Sequence, residues 1–528
     1  MASRGWSSVL VVFLVMTQAV SWPGRAWAAS AEEIEQKLKA LQEQVNDLKK
    51  QLEQSNKTQA PVTQAPPPLP AAVQPVAQVT TVPAAPPLVS RPSWLSDFKL
   101  GGYGSTRFEA NDLNKFSDTF TFRRFVLTGD ATIAERLRSV VEIEFERLTE
   151  LEVERRQPVE GGQRGFSQSI EGSDKSEVSL EQAWMQFALA DWLRFRAGMM
   201  LVPLGRFNIN HDDNRWDLPR RSLVDRGVPV LPVKSAWSEV GMGFQGDIPT
   251  QRFGKFSYQV YVMNGVTLDS SLETVARASG ELETEVEIQP RRGTANLDVK
   301  RDKAGAFRLA WSPTLETEIA TSVYYGRYTP DFLPSEALWG VGVDGKATFG
   351  PFEVEGEYIV TKYNGITRVA RGFANAVLER QLEAGTAPLN TVVDFELAGL
   401  ASTKQGYWLD LRYRFFPDVL RNSIFGWKFE NPQFIVTARM EQVWLDGLVQ
   451  QADFTGGELT KLTQENRFVD RATLGLAYRP VPLVVFQLAF ERTWTNKNKS
   501  LAAVTNFLPA QRTEDTANAF LFGVAFGF

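Results

Sequence analysis

The sequence predicts an all-β protein: a transmembrane antiparallel β-barrel of about sixteen strands, preceded by a short α-helical coiled coil. Three observations carry this. The N-terminus reads as an export signal, the bulk of the chain alternates apolar and polar residues with period two, and the last strand ends on an aromatic residue at the chain terminus.

Composition narrows the field. The 528 residues carry 57 Lys+Arg against 62 Asp+Glu, a formal charge of −5, which excludes a generally basic nucleic-acid binder. With no Cys there are no disulfides, thiolate metal sites or Cys nucleophiles. The single His, His211, excludes any multi-His metal centre. A hydrophobic fraction of 43% resembles that of a soluble protein, and only its distribution along the chain says otherwise.

Residues 1–28 read as a signal peptide. Arg4 supplies the positive start, Val9 to Met16 an apolar core, and Ala26-Trp27-Ala28 a small-x-small cleavage site. The core is too short to cross a bilayer as a helix, which takes about 20 residues. No Cys follows the cleavage site, so an N-terminal lipid anchor is not expected.

Residues 29–54 read as a coiled-coil trimerisation segment. Ile34, Leu38, Leu41, Val45, Leu48 and Leu52 are spaced 4-3-4-3-4, with Glu, Lys, Gln, Asn and Asp between them. A coil this short is marginal alone, so other contacts must help hold the chains together. Residues 55–92 are rich in Pro, from Pro61 to Pro92, and read as a semi-rigid polyproline spacer that extends at ~3.1 Å per residue.

From residue 93 to 528 the texture is that of strands. Tyr407, Leu409, Leu411, Tyr413 and Phe415 alternate with Trp408, Asp410, Arg412 and Arg414. Val141, Ile143 and Phe145 alternate with Glu142, Glu144 and Glu146. Phe520, Phe522, Val524, Phe526 and Phe528 share one parity. A soluble sandwich would turn the apolar face inward, whereas a membrane barrel turns it to lipid. Export, and aromatic residues at strand ends, favour the barrel. Candidate strands centre near Gly102, Arg124, Val141, Met185, Phe195, Gly243, Tyr258, Leu309, Val323, Val343, Gly356, Leu411, Val436, Leu474, Phe486 and Val524. Short turns are expected at Ala190-Asp191, Ser312-Pro313 and Arg479 to Pro482, and loops around 150–177, 203–236, 264–303, 363–404 and 445–468.

Phe122-Arg123-Arg124-Phe125-Val126-Leu127-Thr128-Gly129, Arg196-Ala197-Gly198 followed by Val202-Pro203-Leu204-Gly205-Arg206, and Trp237-Ser238-Glu239-Val240-Gly241 occur in order. So do Met263-Asn264-Gly265, Gly356-Glu357-Tyr358, Gly406-Tyr407-Trp408 and Tyr413-Arg414-Phe415-Phe416-Pro417. Together these pieces resemble the phosphate-selective porin O/P family over the barrel region. A coil and Pro-rich stretch ahead of a barrel is similar to trimeric dicarboxylate-type porins. The resemblance implies a homotrimer of 16-stranded barrels in the bacterial outer membrane, with the coil in the periplasm. It also implies that Phe528 serves as the signal read by the barrel-assembly machinery. It does not identify the solute.

The loop from Pro203 to Lys234 holds Arg206, Arg215, Arg220, Arg221 and Arg226 beside Asp212, Asp213, Asp217 and Asp225. One reading folds it into the lumen as a constriction whose guanidinium forks suit phosphate or carboxylate. The other pairs the charges with one another and leaves the loop structural. Arg123, Arg194, Arg196, Arg412 and Arg414 have lumen parity, with Arg439, Arg471 and Arg479. They form either an anion ladder or a set of braces to Glu142, Glu144, Glu146 and Glu441. His211-Asp212-Asp213 is too sparse a donor set for a metal, so no metal and no cofactor are expected. The acidic run from Glu281 to Glu287 reads as a solvated loop.

Passive diffusion of small hydrophilic, anionic solutes is the leading expectation, with lipid as the surroundings and no catalysis. The alternative is a scaffolding barrel that sheathes another protein or tethers the envelope through its coil. A barrel enzyme has little to build on, with one His and no Gly-x-Ser-x-Gly elbow.

Overall fold

The computed structural model describes residues 97–528, apart from 113–117, 148–150, 157–158, 161–162, 165–166, 173–175, 235, 277–281, 294–300, 373–375, 377–391, 397–399, 456–457, 498, 500 and 502–513. The expected signal peptide, the coiled-coil seam from Ile34 to Leu52 and the Pro-rich spacer lie outside the described residues.

Among the described residues, sixteen strands build the wall. They are β1 (Phe98–Asn111), β2 (Thr119–Ala134), β3 (Leu137–Arg147), β4 (Ser176–Ala190), β5 (Leu193–Leu201), β6 (Ser238–Thr250), β7 (Gly254–Met263) and β8 (Ala304–Thr314). They continue as β9 (Thr317–Arg327), β10 (Ala337–Phe349), β11 (Phe352–Tyr363), β12 (Ala401–Phe415), β13 (Gln433–Thr455), β14 (Glu458–Val481), β15 (Val484–Thr495) and β16 (Thr516–Gly527). Each pairs antiparallel with the next. The last returns to the first, Tyr103 opposite Gly527 through Asn111 opposite Ala519, so the sheet has no free edge. All sixteen expected strand centres fall within these strands.

The connections alternate in length. Tight turns at 135–136, 191–192, 251–253, 315–316, 350–351 and 482–483 gather at one end, with the longer 416–432 connection among them. The connections at the other end are longer, except between β13 and β14, which stay paired as far as Thr455 opposite Glu458. This is the asymmetry of an outer-membrane barrel, with short periplasmic turns and long external loops.

Several expected boundaries are corrected. Ser312-Pro313 and Arg479 to Val481 stay within β8 and β14, where the pairing slips between Trp311 and Thr314 and between Tyr478 and Val481. Within 445–468, residues 445–455 and 458–468 belong to the paired strands β13 and β14 rather than to a loop. Gly447, at φ 65°, breaks the alternation there, and the register shifts between Leu445 and Leu448. Within 264–303, strand Thr267–Ala276 pairs with strand Leu282–Arg291, so Glu283, Glu285 and Glu287 belong to a strand. Strand Val392–Glu396 joins that hairpin in parallel.

Parity sorts the side chains. On β14, Leu474 is 60% exposed and Arg471 is 1% exposed, an inversion of the order found in a soluble barrel. On β12, Leu409, Leu411 and Tyr413 face out while Trp408, Asp410 and Arg412 are buried inside. A polypeptide that turns Leu, Ile and Phe outward around its circumference is shaped for hydrocarbon, and its strands are the membrane-crossing elements. Rings run along the outer wall near the tight turns: Phe352 to Tyr413 at 5.0 Å, Tyr413 to Phe415 at 5.6 Å, Phe415 to Phe434 at 6.0 Å and Phe434 to Tyr478 at 4.9 Å. They form one arc of an interfacial aromatic girdle.

The main hydrophobic core lies inside the barrel. Val202, Leu204, Phe207, Trp216, Leu223, Val224, Val230 and Leu231 of the β5–β6 connection pack against Trp184, Tyr261, Tyr324, Ile359, Tyr363, Trp408 and Val443 of the wall. The interior is therefore not wet throughout: at the level of this loop it is a packed core.

Candidate functional site

Residues 202–237 leave β5, turn into the lumen and return to β6. Gly205, at φ 82°, makes the inward turn, and a Cβ there would lie 2.7 Å from Ile359 Cδ1. This lets the backbone N–H groups of Arg206 and Phe207 reach Glu357 Oε2, the latter at 3.2 Å. A one-turn helix (Arg206–Ile209), a 3₁₀ turn (Asp213–Arg215) and a π turn (Leu223–Gly227) follow.

Wall side chains hold the loop largely through its carbonyl oxygens. Arg439 Nη1 donates to Arg220 O at 3.3 Å, Arg471 Nη2 to Arg221 O at 2.6 Å, and Arg123 Nη1 to Pro219 O at 3.2 Å. Arg479 donates to Asn214 O at 2.9 Å and to Trp216 O at 3.1 Å, and Gln487 Nε2 to Trp216 O at 2.7 Å. Thr361 Oγ1 donates to Val230 O at 2.7 Å. In the other direction, Leu223 N–H donates to Glu441 Oε1 at 2.8 Å. A buried carbonyl without a donor would cost free energy, so each of these contacts satisfies both wall and loop.

At the loop's centre, Phe207 and Trp216 stack at 3.9 Å and 3°, and both meet Trp408 edge-on at 5.6 and 5.5 Å. Arg439 lies 5.2 Å from the Trp408 ring and 5.5 Å from that of Phe207. Guanidinium over ring faces is a favourable cation–π arrangement, stronger when desolvated.

Two bulges set what faces the loop from β2 and β4. The register shifts between Ser105 and Thr106, leaving Arg123 as the extra residue beside Arg124. A second shift, between Glu142 and Ile143, leaves Glu181 extra beside Gln182. A bulge places two consecutive side chains on one face. Simple parity therefore gives Arg123 but misses Arg124 and Glu181, which are both fully buried inside.

The five expected constriction arginines separate. Arg206 binds Glu355 at 2.5 Å and Glu318 at 2.8 Å. Arg220 binds Glu109 and Glu491, each at 2.5 Å. Arg221 binds Asp213 at 3.1 Å. These three are buried. Burial alone would lower the pKa of Arg206 and Arg220, but their carboxylate partners outweigh it and raise both. Arg215 differs: its side chain is 60% exposed and rests on Asp212 at 2.9 Å. Arg226 is half-buried in the π turn.

The expected wall arginines also divide. Arg412 is buried on Glu353 at 2.6 Å and Asp410 at 2.5 Å. Arg123 lies 3.5 Å from Asp213, and Arg196 stacks 3.6 Å over Trp184. Arg194 and Arg414 keep about a third of their side-chain surface exposed, at 30% and 29%. Of the expected braces, Arg471 meets Glu441 at 2.6 Å, while Glu144 pairs with Arg124 at 2.9 Å. The Glu146 side chain lies outside the described residues.

Asp213 accepts from Ser105 Oγ at 2.6 Å. Burial pushes its carboxyl up, yet Arg123, Arg124 and Arg221 together hold it well below the usual carboxylate range. His211 turns away from Asp213 and places Nε2 3.2 Å from Glu181 Oε2 and 3.6 Å from Glu142 Oε1. Burial would lower its pKa, but Glu181 and then Glu142 raise it well above the ordinary value.

Two cavities flank the loop. One of about 750 Å³ opens beside Arg138, Glu142, His211, Asp212, Arg215 and Arg414. A second, of about 350 Å³, is lined by Arg194, Gln245, Asp247, Gln259, Arg308 and Glu318. Both also touch Ile209.

No family model matches the chain. A protein of Aquifex aeolicus (strain VF5), described only as uncharacterized, is 26% identical over 167 residues, 32% of this chain and 32% of its own. The chain thus spans about a third of the length of the curated relative it matches. Solved structures similar to it include an anion-selective porin from Comamonas acidovorans, at 10% identity and TM-score 0.42, covering 82% of this chain and 99% of that one. The trimer form of OmpT, an outer membrane protein of Vibrio cholerae, has 9% identity and TM-score 0.42 over the same shares. The outer membrane channel DcaP of Acinetobacter baumannii has 8% identity and TM-score 0.39, covering 82% and 97%.

Proposed function

We propose that this protein is an outer-membrane diffusion channel, working as a homotrimer, that passes small hydrophilic solutes and favours anions such as phosphates or carboxylates. One observation carries the reading. The lumen arginines fall into a buried set and a partly exposed set, and the exposed Arg138, Arg215, Arg414 and Arg194, each resting on a carboxylate (Asp130, Asp212, Glu353 and Asp247), line the two cavities. A pair buried in the wall is out of reach of a solute, whereas a half-solvated pair facing an aqueous cavity is held less tightly and can turn its guanidinium to a passing anion, which lowers the barrier for it. The resemblance to the phosphate-selective porin O/P family agrees with this reading. Within it, the 29–54 coil supports trimerisation from the periplasm, and Phe528 is read by the barrel-assembly machinery. The partners are lipid, further copies of the chain and small anions; nucleic acid has no role.

Planar-bilayer recording of the purified protein tests it. Triplet conductance steps with an anion-favouring reversal potential are expected. A silent protein would overturn it in favour of a scaffolding barrel. That second reading draws on the same loop, which binds wall residues from Ser105 on β1 round to Gln487 on β15.

A further inference from the structure

The side chains of Glu142, Glu181 and His211 come from β3, β4 and the lumen loop, and all three are buried. We propose that they form a binding site for a divalent transition-metal ion, with Zn²⁺ the ion that fits best, and that this ion pins the lumen loop to the barrel wall. Their ligand atoms all lie within 4.8 Å of one another.

The spacing is suited to this. Donors held at ~2.0–2.1 Å from a tetrahedral Zn²⁺ are separated by roughly 3.4 Å. His211 Nε2 lies 3.2 Å from Glu181 Oε2 and 3.6 Å from Glu142 Oε1. Asp212 Oδ1 is 3.7 Å from the same nitrogen but falls outside the set of donors lying within 4.8 Å of one another, so the fourth position goes to water from the adjoining cavity. One imidazole with carboxylates suits Zn²⁺ better than Ca²⁺ or Mg²⁺, which take oxygen ligands in larger number.

The surroundings are those of a ligand set. His211 Nδ1 is 3.3 Å from Asn208 O. Donation of its N–H to that carbonyl fixes the tautomer that presents Nε2 to an ion. Glu142 Oε2 accepts from Gln182 Nε2, which leaves Oε1 toward the site. Glu181 is buried with Oε2 toward His211, and Glu144 and Arg124 lie against the same carboxylate. A cation at Oε2 would offset the carboxylates gathered there.

There is also a route in. The 750 Å³ cavity is lined by Glu142, Gln182, His211 and Asp212, so an ion reaches the site from water. The bulge that makes Glu181 an extra residue on β4 is what brings it to the site beside Gln182.

The test uses the untagged full-length protein in detergent, stripped with chelator and titrated with Zn²⁺ by calorimetry. One Zn²⁺ per chain is expected, with at least ~10-fold weaker binding in Glu181→Gln and in His211→Gln. Co²⁺ titrated in its place should give the visible absorption of a four-coordinate site. Zn²⁺ should also slow protease cleavage within 202–237 in the wild type and not in Glu181→Gln. If His211→Gln fails to assemble, Glu142→Gln carries the same expectation. Absence of stoichiometric Zn²⁺ binding overturns the proposal. So does affinity unchanged by these substitutions, or Ca²⁺ binding as tight as Zn²⁺. None of these outcomes depends on which solute the channel passes.

Discussion

Arg471 Nη2 donates a 2.6 Å hydrogen bond to the carbonyl oxygen of Arg221, a residue 250 positions earlier in the chain. The same guanidinium binds Glu441 Oε2 on the neighbouring strand at 2.6 Å. Arg439 repeats the arrangement, with Asp410 at 2.5 Å and the Arg220 carbonyl at 3.3 Å. These wall arginines are braced sideways by a carboxylate and hold the loop's backbone inward. A fork with five donors in a fixed plane can do both at once, which Lys cannot.

Arg471→Met should therefore loosen the loop. It leaves Glu441, fully buried, without its counter-ion, and breaking a buried pair in this way costs about 3–5 kcal/mol. The expected result is a lower unfolding midpoint in detergent and faster protease cleavage within 202–237. Replacing Glu441 as well should recover part of the midpoint, because the stranded charge is gone. It should not restore loop protection, since Leu223 N–H also loses its 2.8 Å acceptor. A double variant no more stable than the single one would contradict this account.

Exposure predicts which arginines set selectivity. Arg215→Glu and Arg414→Gln, both on the larger cavity, should move the reversal potential toward cations while the barrel still assembles; Gln at 414 removes the charge without adding a carboxylate beside Glu353 and Asp217. Arg220→Glu should behave differently. It would place a third carboxylate beside Glu109 and Glu491 in a buried site, so loss of assembled barrel is expected. The comparison fails if Arg215→Glu and Arg414→Gln leave selectivity untouched.

The strands were legible because lipid on one side and a polar interior on the other impose a strict period of two. Leu409, Leu411 and Tyr413 against Asp410 and Arg412 needed no further information. Bulges were not legible, because an extra residue leaves composition unchanged and shifts parity by one. Arg124 and Glu181 were hidden for this reason. The partners of most loop charges were also out of reach. Arg206, Arg220 and Arg221 look alike in sequence, yet Arg221 pairs within the loop with Asp213, while the register of distant strands puts Glu355 and Glu491 beside Arg206 and Arg220. Nor could parity distinguish a hydrophobic inward residue, such as Trp408 or Ile359, from one facing water. What decides its environment is the loop that covers it.

Trp216 ties the loop's apolar side to the wall. It stacks on Phe207 at 3.9 Å, meets Trp408 at 5.5 Å, and donates through Nε1 to Asn210 O at 2.7 Å. Trp216→Ala removes all three contacts and opens a cavity in the middle of the lumen, at a cost of about 3–5 kcal/mol. Single-channel recording should show larger and noisier conductance, and Trp216→Phe should lie between the two. Wild-type conductance in Trp216→Ala would mean that this stack does not bound the solute path.

The seam between the first and last strands offers a test of the terminal residue. Phe528 continues the β1–β16 pairing by exchanging two backbone hydrogen bonds with Gly102, at 3.1 and 3.2 Å. Its ring is half-exposed on the outer wall and stacks on Phe125 at 5.7 Å and 20°. Phe528→Ala keeps the two backbone bonds and deletes the ring; removing the residue deletes both. In spontaneous refolding into lipid vesicles only the seam matters, so Phe528→Ala should refold close to wild type and the deletion should refold less well. In cells, where the ring is the feature proposed to be recognised, both should assemble poorly. Equal loss from Phe528→Ala in vesicles and in cells would assign the ring to packing against Phe125 instead. Wild-type levels of both variants in cells would remove Phe528 from assembly altogether.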